Sequence, residues 1–456
     1  MMSAAHVKKL IYAPKAPVDR VLSDLYRRGT NFCLICERGK LLGVLTLSDI
    51  KQALLRGVDP QVSVGSIMNT SYTSAPHGTP VSALEKMAHR RNPLRTGRIE
   101  RVPLVDKSGA LKGLYALPST KRGEKHTVLV TGGAGYIGSH LVRHLLKDGF
   151  RVVVLDKLLF GDEGIRGLEK HRDFTLIRGD IGDIGTLVGA VARADSVIHL
   201  AGIVGDPASA LSPMQTMEEN HFATKTLIDL CRHYQVSRFV FASSCSVYGA
   251  SPARSNEESK LYPVSLYAQS KMYSERELLE AAGESFNPVI LRFGTVYGLS
   301  PRMRFDLVVN TMTAHAHTHG KITVDGGSQW RPLLHVEDAA RACLAALKAP
   351  LHKVSGQIFN VGDSGENYRI KDIATHVQRH LPAATIDHLD TVKDRRDYIV
   401  SFKKIRRVMG YSTKHKIRAG IGEVARELRR GKFKDWRAPK YNNYLTLRNV
   451  LEKMSP

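Results

Sequence analysis

Short apolar, β-branched runs recur along the chain, and from residue 127 onward they alternate with longer stretches of helical periodicity. Thr127-Val-Leu-Val130 and Arg151-Val-Val-Val-Leu155 are continuous apolar runs of the kind that form strands covered on both faces, and Ile137–Lys147 between them has the spacing of an amphipathic helix. Further strands are expected at Phe174–Ile177, Ser196–Leu200, Arg238–Ala242 and Pro288–Arg292. Such alternation predicts βαβ units around a parallel sheet.

The first part of the chain has a different texture. Phe32–Cys36, the turn Glu37-Arg-Gly-Lys40 and the run Leu41–Thr46 read as a hairpin, followed by a helix over Leu47–Leu55. A second strand, turn and strand follow at Arg101–Asp106, Lys107-Ser-Gly109 and Ala110–Leu117, about 70 residues later, which reads as an internal repeat. The polar stretch Pro118–Lys125 separates the two textures. The expected organisation is a tandem α+β module over 1–120, a linker at 121–126 and an α/β domain over 127–456.

Composition excludes several classes. Of 456 residues, 43% are hydrophobic and 24% charged, the mix of a globular protein. No apolar stretch is long enough to span a membrane, and Lys8 and Lys9 precede no apolar segment of a secretory signal. Five cysteines are too few and odd in number for a disulfide framework, so a cytoplasmic location is expected. The net charge of +24 is concentrated in two places: residues 1–125 hold 21 basic against 9 acidic residues, and residues 394–440 hold 16 against 5. No nucleic-acid-binding motif accompanies that surplus, so neither nucleic acid nor membrane is expected as a partner.

Candidate chemistry begins at Thr131-Gly-Gly-Ala-Gly-Tyr-Ile-Gly138, which follows the first strand and opens the helix. Gly132, Gly135 and Gly138 permit a tight turn, close approach of backbone to a pyrophosphate and close helix packing. Asp156 ends the second strand, where a carboxylate accepts from a ribose diol and repels a 2′-phosphate, so the pattern predicts NAD over NADP, although Lys157 is adjacent.

These motifs resemble the extended short-chain dehydrogenase/reductase family, in particular its nucleotide-sugar epimerases and dehydratases. The resemblance implies a Rossmann-type doubly wound sheet with a small C-terminal substrate-binding subdomain. It places Tyr136, Ile137, the adenine contacts Asp180 and Ile181, Ala201 in His199-Leu-Ala-Gly202, and Asn220 around NAD. It assigns catalysis to Ser244, Tyr267 and Lys271, the last also touching the cofactor; Tyr267 and Lys271 stand one helical turn apart. Substrate contacts fall on Ser244, Asp306, Leu307, Arg331 and Arg396, with Gly294-Thr295 where the family usually has asparagine.

Two departures narrow the expected reaction. The 4,6-dehydratases carry Asp and Glu after the catalytic hydroxyl, whereas here Cys245 and Ser246 stand there. Cys245 lies three residues before Tyr248, not the two found in enzymes that epimerise C3 and C5, so it is expected to pack. The expected activity is NAD-dependent epimerisation of a nucleotide-diphosphate sugar at C4 through a 4-keto sugar, by a homodimer. Alternatives are a reductase, oxidase, decarboxylase or dehydratase on the same trio, or a non-catalytic sensor of NAD and adenine nucleotide.

The N-terminal repeat resembles a pair of CBS domains, which bind adenine nucleotides and regulate attached enzymes. In Gly43-Val-Leu-Thr46-Leu-Ser-Asp49, the resemblance assigns Thr46 to a phosphate and Asp49 to the ribose. The second copy has Ala116 and Ser119 at those places, so one nucleotide site is expected. His315, His317 and His319 have no cysteine or carboxylate near them in sequence, and no metal is assigned.

Overall fold

The structure is a computed structural model that describes residues 4–28, 30, 32–81, 83–84, 87, 101–116, 125–251, 253–283, 286–389, 391 and 396–454. Of the expected linker only Lys125 and His126 fall within these, and Pro118, Ser119, Asp394 and Arg395 lie outside the described residues. The chain divides into two compact units, one made mainly of residues 1–124 and one mainly of residues 125–456.

In the first unit, Phe32–Glu37 and Lys40–Thr46 form an antiparallel hairpin beside the short parallel strand Ile11–Tyr12. Arg101–Val105 and Leu111–Ala116 form a second hairpin, and Ala75–Pro76 stands beside it in the same parallel relation. The hairpin turns bond to each other: the Leu41 N–H donates to the Gly109 carbonyl at 3.1 Å and the Leu111 N–H to the Gly39 carbonyl at 3.0 Å. Positions about 70 residues apart therefore exchange equivalent bonds, as an internal repeat requires. Alternation along Phe32–Glu37 sends Cys33 into a core with Val18 and Val21, and Cys36 into another with Val7 and Leu10.

The second unit is built on seven parallel strands: β1 (Thr127–Thr131), β2 (Arg151–Asp156), β3 (Phe174–Arg178), β4 (Ser196–His199), β5 (Arg238–Ser244), β6 (Asn287–Phe293) and β7 (Gln357–Val361). Their order is β3-β2-β1-β4-β5-β6-β7, the doubly wound arrangement, so the strand order reverses between β1 and β4. All five residues of β1 are buried. At about 1.5–3 kcal/mol for each buried aliphatic side chain, β1 is a firm base for the glycine loop that leaves it.

Helices Gly138–Lys147 and Val336–Lys348 cover one face of the sheet, and Ile184–Val191, Ala223–His233 and Leu266–Ala281 cover the other. Strand β7 lies outside the sequence expectation because Asn360 interrupts its apolar run. The amide is satisfied internally: Oδ1 accepts from the Tyr248 hydroxyl at 2.8 Å, and Nδ2 donates to the Ser401 carbonyl at 3.2 Å.

A smaller C-terminal portion has its own core, in which Val309, Ile322, Leu333, Ile373 and Ile421 meet. It contains the helix Val308–His319 and the strand Trp330–His335, which bring in Leu307 and Arg331. The basic tail forms three α-helices, Lys403–Met409, Ile417–Arg429 and Asn443–Met454, the last preceded by a 3-10 turn at Pro439–Tyr441. Among the described residues no helix is long and apolar enough to cross a membrane.

Candidate active site

The glycine loop lies at the point where the strand order reverses. Gly132 has φ +72°, and a Cβ there would stand 2.7 Å from the Ala201 nitrogen at the end of β4. A Cβ on Gly138 would meet the Gly132 carbonyl oxygen at 2.3 Å. Any side chain at either position would break the turn. The helix Gly138–Lys147 starts without a side-chain cap, its Ser139 N–H donating to the Gly135 carbonyl at 3.0 Å, and the positive end of its dipole lies at the loop.

Asp156 reaches back under this loop. Its Oδ2 accepts from the Ala134 N–H at 2.9 Å and its Oδ1 from the Leu158 N–H at 2.8 Å, so the carboxylate is tied to the loop backbone. Burial raises its pKa against those two donors. Lys157 is held by carboxylates, with Nζ 2.5 Å from Glu219 Oε1 and 3.5 Å from Asp180 Oδ2, which removes it as a partner for a 2′-phosphate. Asp180 also accepts from the Gly182 N–H at 2.8 Å, and Ile181 is buried in the core beneath. Asp156→Asn is expected to weaken NAD about tenfold or more, by removing a charged acceptor, while NADP is affected less. Calorimetry giving equal losses for both would show that Asp156 does not read the ribose.

Asn220 lies in a π-helical turn, Glu218–Phe222, that re-aims its side chain inward. Its Nδ2 donates to the Ile203 carbonyl at 2.8 Å and to Ser270 Oγ at 3.2 Å, and its own carbonyl accepts from Ser274 Oγ at 2.9 Å. These bonds clamp the Ile203 segment to the helix Leu266–Ala281. Tyr136 is buried away from the loop surface, and its hydroxyl donates to the Gly298 carbonyl at 2.5 Å.

The helix Leu266–Ala281 starts at Ser265, whose Oγ accepts from the Ala268 N–H at 3.2 Å. Tyr267, Lys271 and Glu275 follow at one-turn intervals, so they share a face. Ser244 ends β5, stands within reach of the Tyr267 hydroxyl, whose proton affinity it lowers, and accepts from Ser246 Oγ at 2.9 Å. Lys271 Nζ lies 4.8 Å from the centroid of the Phe241 ring and 5.9 Å from that of Tyr267. Burial pushes the Tyr267 hydroxyl up to about 12, against the Ser244 hydrogen bond and the Arg304 charge. Burial pulls Lys271 down to about 8, and Glu275 opposes this. The arrangement places a proton donor and acceptor beside a cation that titrates near neutrality, the elements of general acid–base chemistry.

On the substrate side, Arg331 is buried and its Nη1 donates to the carbonyls of Trp330 at 2.7 Å and Arg396 at 2.5 Å. Arg396 Nη1 lies 2.9 Å from Asp206 Oδ2. The two arginines, far apart in sequence, thus meet at one place. Asp306 is held by Arg304, which donates to both carboxylate oxygens at 2.9 and 2.8 Å, and by the Asn443 N–H at 3.0 Å. Leu307 caps the helix Val308–His319 through its backbone only. Cys245 is buried, and its Sγ donates to the Arg292 carbonyl at 3.3 Å.

A family model for the NAD dependent epimerase/dehydratase family matches residues 128–362. The chain belongs to this family. Residues 8–56 match the CBS domain. UDP-glucose 4-epimerase 4 of Oryza sativa subsp. japonica is 31% identical over 296 residues, covering 58% of this chain and 79% of that protein. dTDP-glucose 4,6-dehydratase of an Actinoplanes species is 30% identical over 315 residues, covering 65% and 96%. The solved structure of UDP-glucuronic acid 4-epimerase from Bacillus cereus, in complex with UDP-glucuronic acid and NAD, superposes with a TM-score of 0.61 at 27% identity, covering 67% of this chain and 99% of that one.

The protein is therefore an enzyme of the epimerase/dehydratase family, with NAD as its cofactor and a CBS domain at its N-terminal end. The glycine cradle, the uncapped helix start and Asp156 fit that cofactor. Two sets of residues around the site escaped the sequence reading. His199 is buried between Thr131 Oγ1 at 2.6 Å and Thr224 Oγ1 at 2.9 Å, and burial, with the Lys271 charge, lowers it to about 3, so it is a neutral strut joining β1, β4 and a helix. Glu275 and Arg292 form a buried ion pair behind Lys271. A glutamate one turn beyond the lysine was the available signal, and its partner on β6 was not visible without the fold.

Proposed function

We propose that the enzyme epimerises a nucleotide-diphosphate sugar at C4, with Tyr267 as acid/base. The observation that carries this reading is the Ser244–Tyr267–Lys271 arrangement at the end of β5, with no carboxylate at the two following positions. Cys245 is buried and bonded to a carbonyl, and Ser246 donates to Ser244, so neither is placed to eliminate water. Bound NAD supplies reversible hydride acceptance at the carbon that bears the hydroxyl. Tyr267 takes the hydroxyl proton and returns it, Ser244 hydrogen-bonds the same oxygen as it becomes a carbonyl, and the Lys271 cation favours the phenolate. Arg331 and Arg396 supply the diphosphate clamp, for which the planar guanidinium is suited. Asp306 and Leu307 border the nucleotide base.

Incubation with UDP-, GDP-, CDP- and dTDP-hexoses, followed by proton NMR, tests the reading. Interconversion of a C4 epimer pair is expected, whereas a product that has lost water would establish the dehydratase alternative. The exposed side chains of Phe222 and Tyr273, both in ring contact with His221, suit the expected homodimer.

The first CBS copy is proposed as an adenine-nucleotide site. Thr46 and Asp49 form a capping box: Asp49 Oδ2 accepts from Thr46 Oγ1 at 2.7 Å and from the Thr46 N–H at 2.9 Å, and the Asp49 N–H donates to Thr46 Oγ1 at 3.1 Å. The box fixes both side chains at the start of the helix Leu47–Leu55. Titration of AMP, ADP and ATP into the intact chain is expected to show one site that alters turnover and is lost in Asp49→Ala. Because this variant also loses a cap worth about 1 kcal/mol, its melting is followed in parallel without nucleotide. Nucleotide binding undiminished in Asp49→Ala would leave the module structural.

A further inference from the structure

Asp206 has no role in the chemistry described so far, yet it stands between the substrate arginines and the acid/base helix. It opens the short helix Asp206–Leu211 directly after Gly205, whose φ of +96° turns the chain there. Both carboxylate oxygens are engaged. Oδ1 accepts from Ser265 Oγ at 2.8 Å, and Oδ2 lies 2.9 Å from Arg396 Nη1.

The Ser265 partner is the cap of the helix that carries Tyr267, two residues further on. Its hydroxyl donates to Asp206 and accepts from the Ala268 N–H at once, so its direction is fixed. The Arg396 partner is held in turn: its carbonyl accepts from the buried Arg331 at 2.5 Å, and the neighbouring Asp397 carboxylate accepts from the Trp330 N–H at 2.9 Å. A continuous chain of polar contacts therefore runs from the strand Trp330–His335, through Arg396 and Asp206, to the first turn of the Tyr267 helix. Burial raises the pKa of both Tyr267 and Tyr398, and the Asp206 charge adds to it, opposed by Arg304 at Tyr267 and by Arg331 and Arg396 at Tyr398.

We propose that Asp206 is a positioning residue of the site: its carboxylate ties Arg396 on the substrate side to Ser265 on the acid/base helix, and the charge balance of this pair is held against the Tyr267 hydroxyl. The substrate-side part of the inference rests on Arg396 serving as a diphosphate clamp. An anion seated on Arg396 competes with Asp206 for the guanidinium, so occupancy of the clamp is transmitted to the tyrosine electrostatically.

The test follows ionisation of Tyr267 in the full-length protein by ultraviolet difference titration, with Tyr267→Phe as the subtracted reference, so no substrate is needed. Asp206→Asn, which keeps an acceptor for Ser265 but removes the charge, is expected to lower the proton affinity of Tyr267 about tenfold. Arg396→Gln, which leaves Asp206 unneutralised, is expected to raise it. Opposite shifts cannot come from loosened structure. In turnover, the acidic limb of the pH profile should move down in the first variant and up in the second. A titration that stays put in both variants, or moves the same way in both, overturns the inference. Failure of the sugar reading is a separate result: the wild-type protein would convert no sugar nucleotide while the Tyr267 titration still responded.

Discussion

Tyr267→Phe is expected to slow the chemical step by about 10² or more while NAD stays bound, the usual contribution of a general acid–base group. Phenylalanine keeps the ring that packs near Lys271, whose Nζ lies 5.9 Å from its centroid, so the change is confined to one oxygen. That oxygen is the one whose proton affinity Ser244, at the end of β5, lowers. The glycine loop and Asp156, which bond to each other, make no hydrogen bond to Tyr267 among the described residues, so retention of NAD separates a catalytic defect from a binding defect. Single-turnover rates, with cofactor content measured on the same sample, decide the matter. Undiminished turnover would remove Tyr267 from the mechanism. In the wild type, Lys271 at about 8 is mostly charged at neutral pH, and the positive charge of a bound nicotinamide would add to it in bringing Tyr267 down from about 12, so activity should fall above about pH 8 as Lys271 loses its proton.

Much of the nucleotide-binding half was legible because its chemistry is local in sequence. A strand, three spaced glycines, a helix and an aspartate at the next strand end are all within 30 residues of one another. The six expected strands of the sheet are present, most of them a residue or two longer than the apolar runs, since the hydrogen-bond ladder continues into polar ends such as Ser243 and Ser244. The substrate side was less legible. The residues expected there come from segments joined only in three dimensions: Arg396 reaches Asp206 across 190 positions of chain, and no periodicity encodes that meeting. Asp306 illustrates the same limit, because its partner Arg304 is two residues away yet sequence spacing cannot show that both carboxylate oxygens are occupied. Buried polar pairs are invisible for a related reason: Glu275 reads as an exposed helix position until the strand carrying Arg292 is placed against it.

That pair sets the largest stability effect expected in the molecule. Glu275 and Arg292 are each about 3% exposed, with Arg292 Nη2 at 2.6 Å and Nε at 2.9 Å from the two carboxylate oxygens. Arg292 also donates to the Tyr248 hydroxyl at 3.0 Å, and Ser243 Oγ donates to Glu275. The network fastens the helix Leu266–Ala281 to β5 and β6. Glu275→Leu leaves a buried guanidinium without its counter-charge and is expected to cost about 3–5 kcal/mol, read from the urea midpoint. The double variant Glu275→Leu, Arg292→Met removes both charges and should recover most of that loss, because the penalty comes from the orphaned charge rather than from the missing attraction. Recovery of stability without recovery of function is the expected result. The Glu275 carboxylate opposes the burial that lowers Lys271, so without it Lys271 falls below about 8 and loses its proton at a lower pH. The basic limb of the pH–rate profile should therefore move toward acid in both variants. A double variant as unstable as the single one would show that the two side chains hold the sheet and helix together as a pair, and an unmoved basic limb would detach Glu275 from Lys271.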